Sequence, residues 1–281
     1  MHSQTRMQID KNFKPLASAD FDLGTPLSLV GEHPCHVDFC KESCTAEADD
    51  PRQNYLLAAL PEEAFERLAP HLERLTVPRA DILYRFGDNL EYAYFPTTTT
   101  VSLLCTMEDG ASIEVAVVGN EGLLGASILG DVALTQAMVL NPGCVYRLHA
   151  KWLEHEVDHY ESLQPLLMRY TRTLIAQMAQ TTGCVRRHSL EQQLCRWLLL
   201  NFDRMPSGNL SMTQELIAGM LGVRRESITE VAGKLQLAGL ISYTRGHIEV
   251  LNRPGLETHA CECYGVVKKE FSRLHADLIA A

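Results

Sequence analysis

The stretch Ser211–Gln236 constrains this chain more than any other part of it. Leu216, Ile217 and Met220 fall on one face at helical spacing, and Ala218 and Gly219 are small enough for close packing. Leu221-Gly222-Val223 interrupts that helix at a glycine, and a second helix begins with Arg224, Arg225 and Glu226. Ile228, Val231 and Leu235 give the second helix its buried face, which leaves Arg225, Glu226 and Thr229 pointing out. Two short helices, a glycine turn and a basic start to the second helix have the dimensions that a DNA major groove admits. Leu240–Thr244 and His247–Leu251 then read as two strands joined at Arg245-Gly246, a hairpin signal. A helix-turn-helix followed at once by a hairpin is a winged helix.

The whole chain carries a net charge of −10 over 281 residues, which looks wrong for a nucleic-acid binder until it is divided. Between Val185 and Gly255 stand nine Arg or Lys against six Asp or Glu, so this segment is net positive by three. The acidity sits elsewhere, notably in the first fifty residues, so local charge decides the matter. The length suffices for two domains with separate cores. No apolar run has the length of a membrane span, and Met1–Arg6 lacks the apolar core of a signal peptide. The expectation is a cytoplasmic protein without a membrane partner, whose nine cysteines are reduced thiols or metal ligands.

Residues 1–52 show no sustained periodicity and read as an irregular, cysteine-containing extension. Helical patterns open the next region at Leu56, Leu57 and Leu60 and again at Phe65, Leu68 and Leu72. From Leu75 to Leu148 short alternating runs are separated by turn residues such as Gly87-Asp88 and Asn141-Pro142-Gly143. Many short strands at even spacing mean a sandwich or barrel, placed at residues 53–150. Residues 151–188 read as a long helix in which Leu163, Leu167, Tyr170, Leu174, Met178 and Thr181 form a seam at spacings of three and four. That seam is expected to be a two-fold dimer interface, with packing on the chain's own sandwich as the plainer alternative. The winged helix occupies 189–255, with Ser189 capping its first helix, and a helical extension follows over 256–281. The fold class is therefore α+β: an N-terminal antiparallel β sensor domain, a long dimerisation helix and a C-terminal winged helix-turn-helix domain.

The segment 213–241 resembles the Crp/Fnr family of bacterial transcription regulators, whose pattern runs T-x-x-x-(L/I)-A-x-x-(L/M)-G-x-x-R-E-(S/T)-(V/I), then K-L-x-x-x-G-L-I. Thr213, Ala218, Gly222, Arg225, Glu226, Ser227, Ile228, Lys234, Leu235, Gly239, Leu240 and Ile241 match it. The resemblance extends over about residues 54–255 and implies a cyclic-nucleotide-binding-like jelly roll in the sensor half. It implies a homodimer on double-stranded DNA, with two recognition helices about 34 Å apart on a palindromic operator. RNA polymerase is a further partner if the protein activates. Arg225 is suited to guanine O6 and N7 and Glu226 to cytosine N4, with Thr229 beside them. Ser211, Thr213, Gln214, Arg224, Arg245 and His247 are the expected phosphate contacts. Family members carry a second base-contacting arginine one turn after Glu226, where this chain has Glu230, so the half-site departs from the usual one.

Cyclic-nucleotide binders of this fold use a glycine-glutamate cassette followed by an arginine that pairs with the cyclic phosphate. Here Gly119–Gly130 supplies Glu121, but no Arg or Lys lies between Glu121 and Arg147. Burying an anionic phosphate without a cation is costly, so cyclic AMP is not the expected effector. Cys35, Cys40 and Cys44, spaced C-x4-C-x3-C, resemble the oxygen-sensing branch that holds a [4Fe–4S] cluster, with Cys144 near the place of the fourth ligand. Free thiols in an acidic tail are the alternative. Cys261-Glu262-Cys263 is a C-x-C with no obvious partner pair, and Cys105, Cys184 and Cys195 read as core residues. No nucleophile elbow or P-loop occurs, so an enzyme is not expected. A metal- or redox-sensing regulator and a non-sensing interaction module remain as alternatives to a ligand-controlled one.

Overall fold

The structure is a computed structural model that describes residues 50–108, 110–125, 131–205 and 209–279. Asn54 caps the first short helix, α1 (Tyr55–Ala58), by accepting from the amides of Leu56 and Leu57. Its side-chain amide donates to the carbonyls of Pro96 and Gly122, which ties the helix to the sheet below it. Helix α2 (Glu62–Leu68) follows, with two glutamates in its first turn where the helix dipole favours them.

Seven strands come next: β1 (Glu73–Val77), β2 (Ile82–Tyr84), β3 (Tyr92–Pro96), β4 (Thr100–Thr106), β5 (Ser112–Val118), β6 (Gln136–Asn141) and β7 (Gly143–His149). They form two antiparallel sheets in the orders β1-β7-β3 and β2-β6-β4-β5. Side chains alternate between faces along a strand. One set (Val101, Leu103, Val118, Val139) joins Phe95, Val145 and Leu148 of the other sheet in a first core. The opposite set (Leu104, Val117, Leu140) joins a second core, made otherwise by the C-terminal half of the chain. The larger sheet is therefore buried on both faces, which explains why β4 shows five buried residues in a row instead of alternation.

Helix α3 (Ala150–His159) is tied to α2 by Arg67, whose Nη2 and Nε donate to the two oxygens of the buried Glu156 at 2.6 and 3.1 Å. Helix α4 (Leu163–Arg187) is the long helix expected from periodicity. Its expected dimer seam faces inward instead. Leu163, Leu167 and Tyr170 are buried in the first core, Leu174 and Met178 pack against it, and the Thr181 hydroxyl accepts from Arg196. Periodicity identifies an apolar face but not what covers it; here the chain's own sandwich does.

Helix α5 (Leu190–Phe202) opens with a capping box between Ser189 and Gln192. The winged helix follows as β8 (Asn209–Ser211), α6 (Gln214–Leu221), α7 (Arg225–Leu237), β9 (Ile241–Thr244) and β10 (His247–Val250). The hairpin is a three-stranded sheet, β8-β10-β9, because Ser211 pairs with His247. A three-residue strand carries no readable alternation, so the sequence reading missed β8. Helix α8 (Arg253–His259) leads to α9 (Glu262–Ile279). In sequence α9 reads as a helical extension after the winged domain. It spans both cores: Tyr264 and Val267 belong to the second, Leu274 and Leu278 to the first.

Candidate nucleic-acid interface

The glycine turn forms for a reason of backbone geometry. Gly222 has φ 65, a left-handed conformation that costs a glycine little. Its N–H donates to the carbonyl of Gly219 and that of Val223 to the carbonyl of Ala218, the Schellman closure of α6. At the other end the Thr213 hydroxyl oxygen accepts from the Leu216 amide at 3.2 Å, so this residue caps α6. Arg224 is the N-cap residue of α7, and the helix proper begins at Arg225.

Ile228, Val231, Ala232 and Leu235 hold α7 in the second core. On the opposite side Arg225, Glu226, Thr229 and Glu230 are exposed as one face. The Thr229 hydroxyl lies 2.6 Å from Gln214 Oε1, with the Arg225 carbonyl at 3.1 Å as the other acceptor, so α6 and α7 are braced beside the reading face. Lys234 Nζ lies 2.8 Å from Glu230 Oε1 one turn along. Its hydrogen bond and charge hold the Glu230 carboxyl below its ordinary range. The acidic departure from the family pattern thus has a cationic partner on its own helix.

The wing turn has φ 50 at Arg245 and φ 83 at Gly246, both positive, as a two-residue turn matched to strand twist requires. Arg224, Arg245 and His247 are exposed, as is Thr213, while Ser211 and Gln214 are half-buried. The Ser211 hydroxyl is already engaged, accepting from Arg79 Nη1 at 3.2 Å.

The helix pair is tied to the four-stranded sheet. Ser102 Oγ lies 3.5 Å from Met220 Sδ, and a Cβ on Gly222 would stand 2.8 Å from Ile113 Cγ2. Glu114, buried beside them, accepts from Ser102 Oγ at 2.7 Å. Burial pushes its carboxyl up to about 7, with Ser102 and the charge of Arg196 opposing.

The loop after β5 is used internally. Glu121 accepts from Arg204 Nε at 2.6 Å, and Arg204 Nη2 also reaches Gln177 Oε1 of α4 at 3.3 Å. Tyr170 of α4 donates to the Leu123 carbonyl at 2.8 Å, and Gly122 leaves room for its ring. A cavity of about 290 Å³ borders Glu121 and Arg204 and is walled on its far side by Phe271 and His275 of α9.

Of the expected metal ligands, Cys35, Cys40 and Cys44 lie outside the described residues. Cys144 is fully buried in β7, its Sγ 3.2 Å from Arg74 Nη2. Cys195 sits in the second core as expected. Cys184 does not: it forms a separate cluster with Cys261 and Cys263, the C-x-C that had no partner in sequence. Their sulfurs and a ring nitrogen of His188 all lie within 4.8 Å of one another.

Among the described residues no helix is long and apolar enough to cross a membrane. Residues 192–259 match the family model of the Crp-like helix-turn-helix domain. The transcriptional regulatory protein btr of Bordetella pertussis is 26% identical over 208 residues, which cover 66% of this chain and 80% of that protein. Two solved structures share the fold. FixK2 from Bradyrhizobium japonicum superposes with a TM-score of 0.60 at 17% identity, covering 68% of this chain and 98% of its own. A transcriptional regulator of the Crp/Fnr family from Eubacterium rectale gives 0.59 at 19% identity, covering 73% and 98%. With an exposed face on α7 and a capped and turned helix pair beneath it, residues 192–259 carry a Crp-like helix-turn-helix domain, and the chain is similar to transcription regulators of the Crp/Fnr family.

Proposed function

We propose that the protein works as a homodimer on a palindromic operator, with Arg225, Glu226 and Thr229 reading base edges in the major groove. The observation that carries this reading is the exposure of those side chains as one face at the first turns of α7, opposite a fully packed side. Arg224, Arg245 and His247 flank the face and are free to meet phosphates, which set register without specifying sequence. Thr213 and Gln214 serve the helix pair first, as cap and brace, and Ser211 is held by Arg79.

The dimer surface is the outer side of α4. Met168 and Ile175, seven residues apart, are 62% and 60% exposed although apolar, and Thr182 continues the same line. A parallel partner helix on that stripe would bring two α7 helices to the same side, as half-sites one DNA turn apart require.

Control would pass through the contacts that join sensor and reader: Ser102 and Ile113 against the turn of α6, and Glu121 against Arg204. A signal that alters either set shifts a two-state balance between reader positions. The cassette glutamate, Glu121, is partnered by Arg204 of the chain itself, which supports a control input other than a cyclic nucleotide. An iron–sulfur input through Cys35, Cys40 and Cys44 rests on sequence spacing, and Cys144, expected as the fourth ligand, is disulfide-bonded and offers no free thiolate. Engagement of RNA polymerase depends on where the operator lies relative to a promoter.

Selection of random duplexes on the wild-type protein tests the reading. Enrichment of a palindrome with half-sites one turn apart is expected. Enrichment of a single half-site, or of nothing, would overturn it.

A further inference from the structure

The two hydrophobic cores leave out one buried cluster, where the last turn of α4 meets the start of α9. Cys184 and His188 stand four residues apart, so they share one face of the helix end. Cys261 precedes α9 and Cys263 lies in its first turn, where unpaired backbone amides favour anionic sulfur. Cys184, Cys261 and Cys263 are buried, and His188 is half-buried. Cys184 Sγ and Cys261 Sγ are 3.5 Å apart, and Cys263 Sγ lies 3.6 Å from His188 Nδ1.

We propose that Cys184, His188, Cys261 and Cys263 form a tetrahedral Cys₃His site for one zinc ion, a clasp that fastens α9 to the end of the long helix. The ligand atoms are spaced for it. With Zn–S near 2.3 Å and Zn–N near 2.0 Å, a tetrahedron has edges of about 3.8 Å between sulfurs and about 3.5 Å between sulfur and nitrogen. The Cys184–Cys261 and Cys263–His188 pairs, at 3.5 and 3.6 Å, lie within about 0.3 Å of those edges, and every other pair lies within 4.8 Å, a gap that small side-chain rotations close.

The outer shell is also built. His188 presents Nδ1 to the sulfur, while its Nε2 lies 3.2 Å from Glu262 Oε1. A carboxylate on the far nitrogen fixes the tautomer and orients the ring, as in carboxylate–histidine–zinc arrangements. The residue between the two cysteines thereby braces the fourth ligand. Gln193 Nε2 donates to the His188 carbonyl at 2.9 Å and fixes the backbone at the same point. Binding would release the three thiol protons to solvent and leave a site of net charge −1. Arg196 is 5% exposed, lines a cavity with Cys184 and has a buried Nε with no hydrogen-bond partner. Its positive charge suits that remaining negative one.

All four ligands lie outside the matched domain, residues 192–259, with two before it and two after it. The consequence is mechanical. Helix α9 carries Phe271 under the guanidinium of Arg204, 4.5 Å from ring centre to Cζ, and so touches the link between sensor loop and reader. A metal holding the start of α9 holds that wall in place.

The experiment uses the full chain purified under reductant, beside a C35S/C40S/C44S form that removes the N-terminal thiolates as competing ligands. Zinc is measured by elemental mass spectrometry and then exchanged for cobalt. About one zinc per chain is expected in both proteins, with the intense ligand-field bands of tetrahedral thiolate-bound cobalt. Loss of metal is expected in C261S/C263S, by at least about tenfold, and retention in Cys195→Ser. Because C261S/C263S could unfold, His188→Cys is the deciding variant: a ligating position keeps the metal and moves the cobalt bands to those of a four-sulfur site. Glu262→Gln should weaken metal binding by about 10–100-fold without removing it. A colourless cobalt-treated protein, an unchanged spectrum in His188→Cys, or a Cys184–Cys261 disulfide that forms in air as readily with zinc present as without it would overturn the proposal. These readouts are metal content and spectra, so they stand or fall apart from DNA recognition.

Discussion

Glu121 Oε1 and Arg204 Nε meet at 2.6 Å although 83 residues separate them, and both side chains are nearly out of water, at 12% and 6% exposure. One partner belongs to the loop after β5 and the other follows α5. Removing one member of such a pair leaves a buried charge alone, which costs about 3–5 kcal/mol. Arg204→Met should therefore unfold at markedly lower denaturant, and adding Glu121→Gln should restore much of the loss. A double-mutant cycle by urea unfolding measures the coupling, and additive losses would show that the pair is not one unit.

Arg225→Ala should weaken operator binding by about 1–3 kcal/mol and relax one base position in each half-site. Arg224→Ala should weaken all duplexes alike and reduce the salt slope by about one. Binding selections at two salt concentrations separate the two behaviours.

The two faces of α4 predict opposite phenotypes. Leu167→Ala empties part of the first core and should cost about 2–5 kcal/mol of folding stability. Ile175→Glu lies on the exposed stripe, so it should change monomer stability by under about 0.5 kcal/mol while shifting the dimer toward monomer. Sedimentation beside thermal unfolding checks both.

Glu114 gives stability a pH dependence of definite sign. Burial raises its folded-state value to about 7, against an ordinary value of 4.5 in the unfolded chain. Between those values the folded protein keeps a proton that the unfolded chain has released, so stability falls as pH rises through the window and levels off above it. Glu114→Gln keeps an acceptor for Ser102 and removes that slope, a gain of about 3 kcal/mol at pH 8. Urea midpoints from pH 5 to 8 test it; parallel profiles for both proteins would contradict it.

Gly122→Ala would drive a Cβ into the edge of the Tyr170 ring. Overpacking of this kind costs about 1–3 kcal/mol, and Tyr170→Leu in the same chain should recover part of it. Thermal unfolding of the single and double variants is the check.

The reading domain was legible because its determinants are local. Gly222 at a left-handed turn, Ser189 at a helix start, and Arg245-Gly246 in the wing each act within a few residues, and all three behave as their sequence context predicts. Strand alternation gave the antiparallel sheets by the same logic. The outward face of α7 was legible too, since Ile228, Val231 and Leu235 fix which side is buried.

What only the tertiary structure decided are relations between distant segments. The apolar seam of α4 was visible, but its cover was not, and that cover is the chain's own sandwich. Val117 and Val118 are neighbours in one strand, yet they serve different cores because the reader packs on the back of the sensor sheet. Cys184 read as a core residue and Cys261-Glu262-Cys263 as an unpaired motif, while folding brings them together with His188 across more than seventy positions. A sequence specifies local conformation through short-range sterics and hydrogen bonds. Which faces meet is set by competition among all apolar surfaces at once, and that competition is resolved only in the packed chain.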